Sequence, residues 1–206
     1  MFALVQDGSI TKYISGNKGI TIGDIQYPQS IFTLWSADEK KAIGIYEVEY
    51  DNTNKKDEAW YINTNQSFVF ANDKVTGSYG SATAKAHADT LWTAQDEIDG
   101  KGTEGEVATR GLKYNLIQTV KQQAAGELQN TDWYVVRKAD AGTAIPSAIT
   151  THRAAVRTKT AEMETAITNA SDTPALETLY TYVNTADEGD PVVMERPLGE
   201  LPRLES

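Results

Sequence analysis

Residues 43–50 read Ile43-Gly44-Ile45-Tyr46-Glu47-Val48-Glu49-Tyr50. Tyr46, Val48 and Tyr50 fall on one side of the alternation, and Glu47 and Glu49 on the other. A period of two marks a half-buried β-strand, because successive side chains point to opposite faces. Working outward toward the N-terminus, Phe2–Gln6 and Ser9–Ile14 are short β-prone runs around Asp7-Gly8, a pair suited to a tight hairpin turn. Residues 20–26 and 31–35 read as two more strands, separated by Tyr27-Pro28, since proline interrupts a ladder. Downstream, residues 51–54 form a polar turn, and residues 58–63 and 67–71 are aromatic-rich strands split by Asn63-Thr64-Asn65. The expectation is an antiparallel β-meander over residues 1–80.

Past residue 80 the pattern changes from period two to helical spacing. Residues 81–96 are Ala-rich, with Ala84, Ala88, Leu91, Trp92 and Gln95 on one helical face. Residues 99–105 (DGKGTEG) read as a Gly-rich hinge. A helix over 107–129 carries Leu112, Leu116, Val120, Ala124 and Leu128 at steps of four, with Gly111 and Gly126 weakening its ends. Residues 132–138 (DWYVVRK) are read as extended. A third helix starts near Pro146, a residue favoured at the first helical position. Its stripe is Ile149, His152, Val156, Thr160, Met163 and Ile167, the pattern of an antiparallel helix hairpin. Asp172-Thr173-Pro174 announces a fourth, short helix with Leu176, Leu179, Tyr180 and Val183. Residues 185–206 are acidic and interrupted by Pro191, Pro197 and Pro202, which excludes a regular helix. The fold class is therefore α+β: a β domain over 1–80, a helical region over 81–184 and an extended acidic tail over 185–206. The tail is expected to be mobile alone and to lie on a neighbouring subunit in an assembly.

Composition narrows the function. A chain of 206 residues with 40% apolar content can bury a core. Its net charge of −10 argues against a phosphate-backbone partner, which needs clustered Lys and Arg. There is no Cys, so disulfides, thiolate nucleophiles and thiolate metal sites are absent together. Nothing in the sequence approaches the ~20 apolar residues of a membrane span. The first eight residues lack the basic region and apolar run of a secretory signal, and the absence of Cys fits synthesis in a reducing cytoplasm.

No catalytic constellation emerges. His87 reads as a surface helix residue, and His152 as a half-buried ring on an apolar stripe. Gly100-Lys101-Gly102-Thr103 fails the phosphate-loop pattern, because Gly102 separates Lys101 from Thr103. No Ser sits in G-x-S-x-G. The acidic turn at 51–57 lacks the glycine and closing glutamate of a calcium loop. Glu162 and Glu164 point apart on their helix. Trp35, Trp60, Tyr61, Phe68 and Phe70 offer either a ligand platform or a sheet core, and core packing is the expected role. The expectation is a non-enzymatic protein with no cofactor and no metal, acting by binding other proteins.

Leu128-Gln129-Asn130-Thr131-Asp132-Trp133, followed after about twenty residues by His152-Arg153-Ala154-Ala155-Val156-Arg157, resembles a pattern of tail-fibre assembly chaperones and related tail proteins of tailed bacteriophages. Those proteins carry Leu-x-x-Thr-Asp-Trp and then Tyr-Arg-x-x-Leu-Arg on a helix. Here His152 replaces the aromatic and Val156 the leucine. The resemblance covers about residues 107–168. Residues 28–45, with Ile31-Phe32-Thr33-Leu34-Trp35-Ser36, are also similar to tail-region proteins of marine phages. The resemblance implies a tail, baseplate or fibre-attachment component of the virion, or a transient fibre-assembly chaperone absent from it. It implies phage tail or fibre proteins as partners, with self-association as a homo-oligomer left open. It singles out Asp132, Trp133, His152, Arg153 and Arg157 as structural or partner-binding residues. Trp133 is expected to fill the gap between two helices. Arg153 and Arg157, at i and i+4, share a face and either meet Asp132 or hold an acidic partner.

Overall fold

The computed structural model describes residues 1–204; Glu205 and Ser206, the end of the acidic tail, lie outside the described residues. The chain divides into two compact units, Met1–Thr83 and Ala84–Ser206. The architecture is α+β, with the strands concentrated in the first unit and the long helices in the second.

The first unit starts with β1 (Phe2–Gln6) and β2 (Ser9–Ile14), an antiparallel hairpin in which Gln6 pairs with Ser9. Both turn residues, Asp7 and Gly8, have positive φ, the conformation a twisted two-residue hairpin requires. Next come β3 (Ile20–Ile22), β4 (Ile25–Tyr27), α1 (Ile31–Leu34), α2 (Ala37–Ala42), β5 (Ile45–Asp51), β6 (Tyr61–Ile62), β7 (Ser67–Ala71) and β8 (Lys74–Ser78). Residues 20–26 are thus a hairpin of two strands, not one strand. Residues 31–34 form a helical turn rather than a strand: it sets the consecutive Ile31 and Phe32 both into the core, which an alternating strand cannot do. Helix α2 opens with a capping box. The Ser36 hydroxyl accepts from the Glu39 amide, and the Glu39 carboxylate accepts from the Ser36 amide at 2.8 Å.

The main sheet has the order β2-β1-β5-β8-β7. Its β5–β8 pair is parallel, which corrects the fully antiparallel meander. The reason lies in the connection. Residues 52–66 and β7 supply the long crossover a parallel pair needs. The chain then reverses at Asn72-Asp73, both at positive φ, and brings β8 back beside β5. Strand β8 was not legible because Gly77 interrupts its apolar pattern; a side chain at 77 would collide with the Phe68 ring. One face of the sheet buries Leu4, Ile14, Ile20, Ile31, Phe32 and Ile45. The other buries Ala3, Val5, Val48 and Val75, flanked by half-buried Tyr46, Phe68 and Phe70. The rings of Tyr13 on β2 and Phe68 on β7 meet at 4.8 Å, drawing the two edge strands together. Trp60 and Tyr61 are buried, as the core reading of the aromatics requires.

The second unit corrects the Ala-rich helix over 81–96. That stretch holds β9 (Thr83–Ala84), β10 (Thr90–Leu91) and the start of α3 (Ala94–Ile98). Local helix propensity loses to specific polar bonds. Thr173 donates to the Lys85 carbonyl at 2.6 Å, and the Asp89 carboxylate accepts from the Gly111 amide at 2.8 Å. β10 pairs with β11 (Val107–Thr109), so the second helix begins at Leu112, not at residue 107. The Gly-rich run 99–105 is a hydrogen-bonded excursion between these strands, tied by Lys101 to Asp96 and Asp99 at 3.0 Å each. The Thr93 hydroxyl and the Lys101 ammonium hold the Asp96 carboxyl down at about 2. The remaining elements are α4 (Leu112–Gln129), α5 (Asp132–Ala141), α6 (Ser147–Asn169), α7 (Thr173–Tyr180), β12 (Val183–Asn184) and β13 (Met194–Glu195).

The tail is not a wholly free segment. β12 pairs with β13, and Leu198, only 2% exposed, donates its amide to the Leu179 carbonyl at 3.0 Å. The Arg196 guanidinium stacks on the rings of Tyr180 and Tyr182 and pairs with Glu200 at 2.8 Å. These contacts correct the expectation of a tail mobile throughout; apolar side chains between the prolines dock it on its own unit. Among the described residues, no helix is long and apolar enough to cross a membrane.

Candidate protein-docking site

α4 and α6 lie antiparallel, as two polar contacts along the pair show. Lys113 donates to the Thr168 carbonyl at 2.8 Å, and Lys121 pairs with Glu164 at 3.4 Å. Val120 and Ala124 are buried on α4; Ile149, His152, Arg153, Val156, Met163 and Ile167 are buried on α6. The stripe read from the sequence is therefore the packed face, with Thr160 at its margin.

At the end of α4, Leu128, Thr131, Asp132 and Arg153 meet. Arg153 is 7% exposed. Its Nη1 donates to the Leu128 carbonyl at 2.9 Å and to the Thr131 hydroxyl at 2.6 Å, and lies 2.8 Å from the Asp132 carboxylate. Thr131, also buried, donates its own hydroxyl to the Leu128 carbonyl at 2.8 Å. A guanidinium at this point satisfies a terminal carbonyl of α4 and faces the negative end of its dipole. It simultaneously fixes Asp132 in the first turn of α5, where a carboxylate is favoured. Arg153 is thus the clamp between α4, α5 and α6. His152, next to it, is 8% exposed, and its Nε2 has no hydrogen-bond partner. Arg157 does not join the clamp; it is exposed and lines a groove of about 650 Å³ along α4 and α6.

α5 corrects the extended reading of residues 132–138. It is ten residues long and ends at Gly142, whose φ of 68° gives the left-handed cap that glycine adopts without strain. None of its residues is buried. Trp133 does not fill a gap between helices. It is 51% exposed, stacked on Tyr134 at 4.0 Å between ring centroids, with the Arg137 guanidinium 4.5 Å from its ring. Val135 and Val136 are exposed beside it, Val136 at 66%. Of the two alternatives the sequence left for the Arg153 and Arg157 pair, the contact with Asp132 forms for Arg153 alone. The sequence reading missed Thr131 and the Leu128 carbonyl as the other arms of the clamp, because a backbone acceptor leaves no mark in a side-chain pattern.

Among the described residues no group of three His, Asp or Glu is placed to hold a metal ion. No family model, no curated protein and no solved structure matches the chain.

Proposed function

We propose that this chain is a non-enzymatic tail protein of a tailed bacteriophage, built into the virion tail, baseplate or fibre attachment, and that it works by protein–protein binding through α5. One observation carries the reading. A ten-residue helix without a fully buried residue has little tertiary packing to stabilise it, and isolated helices below ~12–15 residues are marginal in water. Yet α5 is anchored at its start by a buried arginine, capped at its end by Gly142, and displays Trp133, Val135 and Val136. Such an anchored, aromatic-bearing helix has the anatomy of a docking element: Trp133 in its first turn and Arg137 near its middle are of the residue types that dominate binding energy at interfaces. The resemblance of residues 128–133 and 152–157 to phage tail-fibre assembly proteins supplies the partner class, phage tail or fibre proteins.

The same resemblance favours a second reading, a transient fibre-assembly chaperone. Mass spectrometry of purified particles separates the two. Stoichiometric presence supports the virion component; absence from particles, with capture of fibre protein from infected cells, supports the chaperone. Trp133→Ala tests the shared premise: it is expected to abolish capture of tail or fibre proteins while the chain stays folded. Unchanged capture overturns docking through α5.

A further inference from the structure

The second unit carries two exposed apolar patches whose flanking charges are opposite in sign. Lys101, Arg110, Lys121, Arg153, Lys159 and Arg196 of this unit are in ion pairs, Lys113 donates to the Thr168 carbonyl, and exposed Arg157 and Arg203 are in none of the ion pairs among the described residues. Arg137 and Lys138 on α5 are in none of the ion pairs among the described residues, although the chain carries a net charge of −10. Arg137 is held over the rings of Trp133 and Tyr134, so its guanidinium is pre-positioned beside exposed Val135 and Val136. This is an apolar patch whose rim carries two cations and, three residues on from Arg137, the exposed Asp140.

The opposite patch is the loop that joins β12 to β13. Asp187, Glu188 and Asp190 are exposed there and unpaired among the described residues. Val192, Val193 and Met194 follow at once, also exposed, Val192 at 70%. The loop is organised rather than loose. The Thr185 amide donates to the Val193 carbonyl at 2.8 Å, and the Asn184 side-chain oxygen accepts from the Val193 amide at 3.0 Å and the Ala186 amide at 3.2 Å. It is an apolar patch with an acidic rim.

We infer that the occupant of α5 is a second copy of this chain, which lays its β12–β13 hairpin and acidic loop across Trp133, Val136, Arg137 and Lys138. Apolar residues match apolar residues, and the unpaired acids meet the unpaired cations. Complementary potentials of this kind set register and suppress wrong partners. The two patches are different surfaces of one molecule, so the contact is either exchanged reciprocally across a two-fold axis or repeated head to tail. Head-to-tail repetition closes a ring or runs on as a filament. The inference rests on α5 being a docking face, and it names what docks there.

Sedimentation equilibrium of the full chain, over a range of concentration and salt, tests it. The wild-type chain is expected to associate as concentration rises, and high salt is expected to weaken this by about tenfold. Arg137→Glu with Lys138→Glu on one side, or Asp187→Lys with Glu188→Lys on the other, is expected to weaken association by about tenfold or more. An equal mixture of the two double variants restores it, since each reversed patch then meets its opposite. All four side chains are at least partly solvent-exposed, so circular dichroism is expected to show each variant folded. Should a charge-reversed variant misfold, Val192→Ser paired with wild-type protein gives the same loss on one side. A chain that stays monomeric at every concentration overturns the inference, as does wild-type association in either double variant or no recovery in the mixture. A monomeric chain that still captures purified tail or fibre protein through Trp133 overturns the contact between copies alone and leaves the docking role of α5 standing.

Discussion

α5 and α6 are consecutive helices with opposite fates. α6 buries six residues and α5 none. The difference follows from how apolar residues are spaced. In α6 they recur at steps of three and four, so one face is continuously apolar and packs on α4. In α5 they are adjacent, Trp133-Tyr134-Val135-Val136, and a helix spreads adjacent residues around its circumference. No continuous packed face results: Trp133, Val135 and Val136 stay exposed and Tyr134 is only half-buried. A helix that folds with its neighbours and a helix that waits for a partner are thereby distinguished within one chain.

Three substitutions and one titration probe this contrast, from the largest effect down. Ile167→Ala removes a fully buried side chain of the α4–α6 seam and is expected to cost about 3 kcal/mol, read as a lower denaturant midpoint. A cost below about 1 kcal/mol would mean the seam is loose, and the contrast with α5 would fade. Arg153→Met removes the clamp. It leaves the Leu128 carbonyl and Thr131 hydroxyl without their guanidinium, and is expected to cost about 2 kcal/mol. The figure is held to that level because Asp132, its ionic partner, is more than half exposed and can be solvated instead. The circular-dichroism signal of α5 should fall with it. Trp133→Ala is expected to change stability by less than about 0.5 kcal/mol, the ordinary range for a surface position, while removing partner binding. A large loss of stability there would place Trp133 in a core after all.

Smallest is the effect of Asp96. Its carboxyl sits below the ordinary value of 3.8, at about 2, because the Thr93 hydroxyl donates to it and Lys101 pairs with it. A depressed folded-state value contributes stability that is present above the unfolded value and is lost as pH falls through the folded one. The window therefore runs from about 3.8 down to about 2. Thr93→Ala should move the Asp96 titration, followed by carboxyl NMR, up toward 3.8. No movement would show that the capping box of α3 is not formed in solution.

The same contrast explains what the sequence disclosed. Helices α4, α6 and α7 were legible because burial imposes a period: Val156, Met163, Ile167 and Leu176 all fell on the expected faces. Asp172 was legible as a cap, and its carboxylate does accept from the Ala175 amide at 2.8 Å. The β1–β2 hairpin was legible through Asp7-Gly8. What escaped was decided by distant polar bonds or by the absence of burial. Residues 81–91 look helical by composition, but Asp89 and Lys85 are held by Gly111 and Thr173. The run 132–138 looks extended, because four consecutive apolar residues carry no helical period. The parallel β5–β8 pair depends on a crossover whose path no local pattern records. At the candidate site, contact with Asp132 was one of two alternatives for the Arg153 and Arg157 pair and only Arg153 makes it, whereas the exposure of Trp133 was not anticipated.

Hydrogen exchange on dilute full-length protein tests the central claim most directly, because it reads the two helices side by side. The account predicts slow exchange for amides of α6 around Val156 and Met163. Amides of Val136 to Ala139 in α5 should exchange orders of magnitude faster and slow down when partner protein is added. Equal protection of α5 and α6 in the isolated chain, or no change in α5 on partner binding, would contradict it.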